Sequence, residues 1–328
     1  MTGCAKYSYF LEKLKSSITI IEEAAEVLEC LNISVLTQNT KQLILIGDHQ
    51  QLRPHVESYH LEKDYNFAFS LFERLVINGI NFETLQEQRR MRPDFADFIR
   101  VIYGNKYTDH KSVLEYEYIK GITTNLFFFD HQYEENQTEG SKSKTNEFEA
   151  KFIVELTKYF VLQGYKAEQI SIICMYLGQT IKIKRLLNQI EIIKNTIVAS
   201  VDNYQGEEND IVIISLVRSN QQHSIGFTAI ENRICVALSR ARKGMFVFGN
   251  FNCLSINKKK QRTLWKKMTE VAQNKKCLVN SLILSCQNHR KETIVHTPQD
   301  FEKVPEGGCK EICNIRKPCG HIWFLILI

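Results

Sequence analysis

Short apolar runs alternate with amphipathic segments along most of the chain. Residues 17–21, 42–46, 125–129, 170–174, 211–215 and 245–249 are nearly unbroken runs of Ile, Leu, Val, Phe and Met. Strands without polar alternation are covered on both faces, so these runs predict a parallel α/β sheet. Helical periodicity lies between them. It is clearest over residues 145–162, where Phe148, Phe152, Leu156 and Tyr159 share one face. Residues 67–78 close one α/β layer, and 81–85 predict a new strand. Residues 133–144 are rich in Glu, Ser and Lys and predict a mobile loop. After Gly249 the pattern changes to a Lys-rich helix over 258–273, then to a Cys- and His-rich tail. The tail ends in an apolar run, 322–328, either a buried end or the end of a truncated or mis-spliced gene product, and the second reading is favoured. No internal repeat is evident.

The length of 328 residues suggests two domains at roughly 150 residues each. Hydrophobic residues make up 44% of the chain, enough for sizeable cores. No apolar run approaches the roughly 18 residues of a membrane-spanning helix, and the N-terminus lacks the apolar centre of a signal peptide. A membrane protein and a secreted disulfide mini-domain are thereby disfavoured. The formal charge of +5 permits nucleic-acid binding without arguing for it.

Five polar blocks interrupt the apolar pattern. Glu22-Glu23-Ala24-Ala25 follows the first strand, at the end where α/β folds bind ligands. One such acid can hold a magnesium-bound water and the other can orient or deprotonate the attacking water. Gly47-Asp48-His49-Gln50-Gln51-Leu52 follows the second strand and offers a side-chain amide able to sense a γ-phosphate. Gln88-Arg89-Arg90-Met91-Arg92 places three arginines in a short span, either a solvated edge or an anion clamp. Asn203-Tyr204-Gln205-Gly206-Glu207-Glu208 precedes another strand. Val236-Ala237-Leu238-Ser239-Arg240-Ala241-Arg242 sets arginines beyond an apolar helical stretch, as an arginine finger would require. Taken singly, each block is more often a surface feature.

The tail carries Cys286-x-x-His289, Cys309-x-x-x-Cys313 and Cys319-x-His321, with His296 between them. Zinc takes four soft or borderline ligands in a tetrahedron, and pairs at this spacing can supply them. The pairing is not deducible. Cys309, Cys313, Cys319 and His321 are the most compact set, and Cys286 and His289 are alternates or the start of a second site. The tail has few large apolar residues beyond Ile294, Val295, Phe301, Val304 and Ile312. It cannot bury a core of its own and is expected to be ordered only with zinc.

The order of the five blocks resembles that of the Upf-like superfamily 1 helicases, where they run Asp-Glu-Ala, Gly-Asp-x-x-Gln-Leu, Gln-x-Arg-Met, Gln-Gly-x-Glu and Val-Ala-Leu-Ser/Thr-Arg-Ala. The likeness covers residues 1–250. With its Cys/His tail the chain is similar to the RNA helicases that bear C-terminal zinc fingers of the X-box-binding-factor type. Tyr176-Leu177-Gly178-Gln179 and Gly3-Cys4-Ala5-Lys6-Tyr7 also look like that group.

The resemblance implies tandem RecA-like parallel-sheet domains, the first incomplete, and then a small zinc-binding tail. Its divisions would fall at 1–80, 81–253, a helical linker 254–282, and a finger start 283–328. It implies ATP, Mg²⁺ and Zn²⁺ as cofactors. Glu22 and Glu23 take the magnesium and water-activating positions, Gln51 the γ-phosphate sensor, and Arg90 and Arg240 the phosphate-contacting arginines. Gly47, Asp48, Gln88, Gly206 and Glu208 complete the nucleotide set. Thr2 and Gly3 fall at a nucleic-acid contact of the first domain, Ser200 and Asn203 at one of the second.

Two positions and one missing motif depart from the family. Glu22 stands where most relatives have Asp, and Arg89 where many have an aromatic residue. No Gly-x-x-x-x-Gly-Lys-[Ser/Thr] phosphate loop occurs in the chain, which places its start after that loop. The expected activity is that of an ATP-dependent RNA helicase part in RNA surveillance, silencing or antiviral response. Its expected partners are single-stranded RNA and silencing or surveillance proteins, inside the cell in cytoplasm or nucleus. The alternative is a non-catalytic RNA- or protein-binding module on an inactive RecA-like scaffold with zinc fingers.

Overall fold

The computed structural model describes residues 2–137, 143–256 and 263–311. The chain divides into two compact units, Met1–Leu85 and Gln86–Ile328.

The first unit runs α1 (Thr2–Lys6), α2 (Ser8–Leu14), β1 (Ile18–Ile21), a 3₁₀ turn (Ala24–Glu26), α3 (Glu29–Ser34), β2 (Gln42–Leu45), α4 (Tyr59–Asp64) and α5 (Leu71–Ile77). β1 and β2 pair in parallel, Ile20 opposite Ile44. One face of the pair carries Ile21, Leu43 and Leu45 into a small core with Ala24, Val35, Leu11 and Phe72. The other face presents Ile18, Ile20 (62% exposed), Ile44 and Ile46 to solvent. Period-two alternation explains the split, since neighbouring side chains point to opposite faces.

The second unit opens with β3 (Glu87–Gln88), α6 (Pro93–Tyr103) and β4 (Thr108–Asp109), with β3 and β4 paired in parallel. Then come β5 (Leu126–Asp130), β6 (Asn136–Gln137), β7 (Lys144–Thr145), α7 (Glu147–Leu162), β8 (Ile170–Cys174), α8 (Leu177–Leu187) and β9 (Ile197–Ser200). The chain continues with β10 (Asn209–Ser215), α9 (Glu231–Leu238), β11 (Ala241–Gly249), α10 (Phe251–Ser255), α11 (Leu264–Asn274) and β12 (Leu278–Val279). β13 (Leu282–Ser285), β14 (Glu292–Val295) and a 3₁₀ segment (Pro298–Lys303) follow. The main sheet is parallel, in the order β12-β5-β11-β10-β8-β9. Its middle strands are buried on both faces, as the unbroken apolar runs require.

α7 covers one face. Asn146 caps it by accepting a hydrogen bond from the Glu149 N–H at 3.1 Å. Phe152, Leu156 and Tyr159 are buried as expected, Phe148 is half-buried, and Ala150, Ile153 and Phe160 are buried as well.

Three sequence expectations are corrected. Residues 81–85 form no strand. They are exposed, Leu85 to 94%, with no strand beside them, and pairing begins only at Glu87, opposite Thr108. Part of the polar segment 133–144 is ordered as the β6–β7 hairpin, which pairs Asn136 with Thr145. The tail is also not a free-standing element up to residue 311. Leu282, Leu284, Val295, Phe301 and Val304 join the same core as Phe152 and Tyr159 of α7. The Lys-rich helix spans Leu264–Asn274, and residues 257–262 lie outside the described residues.

Candidate functional site

In the first unit, two parallel strands deliver two polar loops to the same end. The Ile46 N–H donates to the Ile21 carbonyl and the Ala24 N–H to the Ile46 carbonyl, each at 2.9 Å. Glu22, Glu23, Gly47 and Asp48 are thereby brought together at the carboxyl ends of β1 and β2. Gly47 fits only because it lacks a Cβ, which would lie 2.9 Å from the Ala25 nitrogen. Asp48 organises its own turn, accepting from the Gln50 N–H at 3.0 Å and from the Gln51 side-chain amide at 2.8 Å. Glu22 and Glu23 are both exposed. Glu23 sits in the left-handed region at φ 53°, ψ 36°, where a non-glycine residue costs roughly 1–3 kcal/mol. Adjacent exposed carboxylates are oxygen donors of the type that Mg²⁺ accepts through water.

In the second unit, Arg90, Glu208 and Arg240 converge around Ser239 at the amino edge of β10 and β11. Arg90 pairs with the Glu208 carboxylate through Nε and donates to the Ser239 carbonyl at 3.3 Å. Arg240 donates to the Ser239 Oγ at 2.8 Å and to the Val236 carbonyl at 3.0 Å. Arg242 reaches Glu208 at 3.5 Å and Asp210 at 2.8 Å, and Lys243 reaches Asp210 at 3.1 Å. Arg240 is only 1% exposed, so it is not the helix-surface residue that its sequence context suggests. Gly206 lies at φ 81°, turning the chain just before Glu207 and Glu208.

Gln88 commits its amide to its own loop and to Asp109. It is 7% exposed, and its Oε1 accepts from the Arg90 and Met91 N–H groups at 2.9 and 2.8 Å. Its Nε2 donates to the Met91 carbonyl at 2.7 Å and to Asp109 at 2.8 Å. The side chain fixes the loop that carries Arg90.

Ser200 and Asn203 lie elsewhere. Ser200 ends β9 opposite Cys174, at the carboxyl end of the sheet, and Asn203 is exposed in the next 3₁₀ turn. Six residues of β10, roughly 20 Å at strand rise, separate that end from the arginine cluster. Thr2 and Gly3 belong to α1. At the same carboxyl end the structure adds a buried network that the sequence did not signal. Glu149 accepts from the Val217 N–H at 3.0 Å, pairs with His131 at 3.0 Å and bonds Ser215. Gln179 donates to Ser215 at 3.0 Å and accepts from the Asn146 N–H at 2.9 Å. The only hint was Gln179, within the Tyr-Leu-Gly-Gln block.

The tail gathers a third group. Cys286 and His289 occupy the turn between β13 and β14, where the Cys286 N–H donates to the Lys291 carbonyl and the Arg290 N–H to the Cys286 carbonyl. His289 Nδ1 lies 3.0 Å from the Cys309 sulfur and 3.8 Å from that of Cys286. All three donor atoms fall within 4.8 Å of one another. Burial pushes the Cys286 thiol up. Backbone hydrogen bonds from Cys309, His289 and Asn288 and the Cys309 thiol outweigh it, bringing Cys286 down to about 7. Cys313, Cys319 and His321 lie outside the described residues.

A six-stranded parallel sheet in one unit and a parallel strand pair in the other define an α/β protein. Sequence comparison agrees. An AAA-domain profile matches residues 67–252 and a second AAA-domain profile residues 2–59. This chain belongs to that family, within its Upf1-like superfamily 1 helicases that carry zinc fingers. It is 45% identical over 322 residues to the mouse (Mus musculus) NFX1-type zinc finger-containing protein 1, covering 98% of this chain and 17% of that protein. It is 41% identical to the Schizosaccharomyces pombe helicase required for RNAi-mediated heterochromatin assembly 1, over 76% of this chain and 25% of that protein. The Drosophila melanogaster regulator of nonsense transcripts 1 homolog is 32% identical, over 87% of this chain and 24% of its own length. The chain thus spans a small part of these relatives. No helix among the described residues is long and apolar enough to cross a membrane.

Proposed function

We propose that this chain is part of an ATP-dependent superfamily 1 RNA helicase acting in RNA surveillance, silencing or antiviral response, inside the cell. The observation that carries the reading is the meeting of Arg90 and Arg240 on Ser239, with Glu208 paired to Arg90. Arg90, about one-third exposed, is the guanidinium placed to meet phosphoryl charge, whereas Arg240, 1% exposed, would reach it only after releasing Val236 and Ser239. In the other unit, Glu23 would orient or deprotonate a water and Glu22 would accept from a magnesium-bound water. Gln51, held by Asp48, would read the terminal phosphate. Bound Mg²⁺ would supply charge neutralisation of the phosphate oxygens. Ser200 and Asn203, at the other end of the sheet, and Thr2 and Gly3 would contact the backbone of single-stranded RNA, with salt-dependent affinity. Zinc would sit in the tail.

The chain by itself is expected to lack helicase-like turnover, because no Gly-Lys-[Ser/Thr] phosphate loop is among its residues. Phosphate release with saturating RNA and Mg²⁺ tests this, and turnover above about 1 s⁻¹ would refute it. In a longer protein that contains this segment and a phosphate loop, RNA-stimulated hydrolysis supports the helicase reading. RNA binding without any hydrolysis supports the non-catalytic module.

A further inference from the structure

The tail is fastened to the body of its unit at several points that converge on one residue. Gln163, just past the end of α7, is buried. It donates to the Gly307 carbonyl at 2.6 Å and accepts from the Gln287 amide at 2.8 Å. Gln287 lies inside the turn that holds Cys286 and His289, and Gly307 lies two residues before Cys309. Gly307 is required there, because a Cβ would come within 2.7 Å of the Gln163 amide nitrogen and 2.9 Å of Leu162. On the hairpin side, the Ser285 N–H donates to the Gly121 carbonyl at 2.8 Å, and Tyr159 of α7 bonds the same carbonyl. The two chain segments that bear the three donors are therefore both docked on the C-terminal end of α7.

We propose that Cys286, His289 and Cys309 bind one zinc ion that clasps the β13–β14 turn and the segment after Val304 together across the end of α7. This rests on the reading that the tail binds zinc, and it selects the ligands. The three would fill three of zinc's four positions in a site built onto the RecA-like body, which takes Cys309 out of the compact set with Cys313, Cys319 and His321. Tetrahedral zinc with bonds of about 2.0–2.3 Å holds neighbouring donors about 3.5–3.8 Å apart. The observed 3.0 and 3.8 Å separations around His289 Nδ1 need only sub-ångström shifts to meet that geometry. Two sulfurs and one imidazole make a borderline-soft set that suits zinc over magnesium or calcium. Around the cluster, the Lys291–Glu311 pair at 2.5 Å spans the same two segments. One site in the middle of a docked tail would fix two loops whose own apolar anchors lie outside them, at Leu284, Val295, Phe301 and Val304.

The full chain, expressed with zinc, tests this by metal analysis and by N-ethylmaleimide footprinting read peptide by peptide. Cys286→Ser and His289→Ala are each expected to lose one zinc equivalent and to raise hydrogen exchange over residues 282–311 at least tenfold. His289→Cys is expected to keep the metal. The paired change Cys319→Ser/His321→Ala is expected to leave that equivalent in place. In the unmodified chain, Cys286 and Cys309 are expected to resist alkylation until a chelator is added, whereas the exposed Cys4 and Cys30 react throughout. That footprint decides the matter even if a variant fails to fold. Zinc retained in Cys286→Ser and His289→Ala, or Cys286 alkylation unchanged by chelation, would overturn the ligand assignment. Zinc then lost only in Cys319→Ser/His321→Ala would leave the zinc reading standing. A chain that never holds zinc overturns both.

Discussion

Replacing Gln88 with Ala tests whether this amide builds the arginine loop or serves a ligand. Its four hydrogen bonds, at 2.7–2.9 Å, all stay inside the loop and its β4 neighbour. Truncation leaves the N–H and carbonyl of Met91, itself 1% exposed, without their partner. Buried neutral hydrogen bonds contribute roughly 0.5–1.5 kcal/mol each, and an orphaned buried group costs about 1–3 kcal/mol. Water can reach the Arg90 N–H and Asp109, so the four do not simply add. The expected loss is about 3 kcal/mol. Gln88→Glu should be at least as damaging. It keeps both accepted bonds but turns two donated ones into oxygen–oxygen repulsion against the Met91 carbonyl and the Asp109 carboxylate. Urea unfolding of the full chain reads this through Trp265, which is fully buried in the same unit. No nucleotide is added, so a ligand role contributes nothing to the signal. A Gln88→Ala change below about 0.5 kcal/mol would refute the loop-building account.

Arg240→Ala is expected to cost about 2 kcal/mol of stability in the same unfolding assay, since it strips donors from buried acceptors. In a hydrolysing longer protein it should also lower turnover ~10³-fold, and loss of only one of the two would separate the roles. Phe301→Ala, which removes an edge contact on Phe152 at 5.4 Å, should cost about 3 kcal/mol. Limited proteolysis should then cut the tail before the sheet. Asp300 gives a pH dependence. Burial raises its carboxyl, but Lys303, the His296 and Thr297 N–H groups and the Thr297 hydroxyl outweigh it and hold it well below the usual carboxylate range. A depressed folded value means stability present above the unfolded value near 3.9 and lost as pH falls through the folded one. Hydrogen exchange over residues 292–304, with chelator throughout, should show that acid loss in the native chain. Asp300→Ala should show about 1 kcal/mol less protection at neutral pH, the usual worth of a cap, and a flatter acid profile.

Strands were legible where burial on both faces leaves no polar position, as at Ile170–Cys174, which is buried throughout. β11 was read from Met245 only, because Ala241-Arg242-Lys243-Gly244 looks like a loop. Its first half is a strand whose charges are met by Asp210. Residues 81–85 show the opposite error, since apolar content there has no neighbouring strand to pair with. Tail docking was illegible for a related reason. Leu282, Leu284, Val295, Phe301 and Val304 are too few to form a core, and no local pattern says that they can borrow one. The order of the polar blocks pointed to the arginines and acids. It could not show that Gln88 faces inward or that Arg240 is buried, because both depend on contacts distant in sequence.

The arginine cluster raises a question that its geometry also answers. Arg90 already has an anion, the Glu208 carboxylate, in a pair about one-third exposed on each side. On the proposed reading, a phosphate at Arg90 would displace Glu208 or share Arg90 with it. Partly exposed pairs contribute at most about 1 kcal/mol, so the exchange would be cheap and the carboxylate would act as a placeholder for the phosphate. Arg242, 3.5 Å from the same carboxylate, can hold Glu208 once Arg90 turns to phosphate. Glu208→Gln should then leave stability within about 0.5 kcal/mol. It should strengthen binding of a fluorescent ATP analogue up to about fivefold at low ionic strength, the equivalent of 1 kcal/mol. If Glu208 instead contacts the ribose or Mg²⁺ as a member of the nucleotide set, the same variant weakens binding, and more so with Mg²⁺ present. Titrations of the full chain with and without Mg²⁺ separate the two. Weaker binding only when Mg²⁺ is present would rule out the placeholder and make Glu208 a ligand.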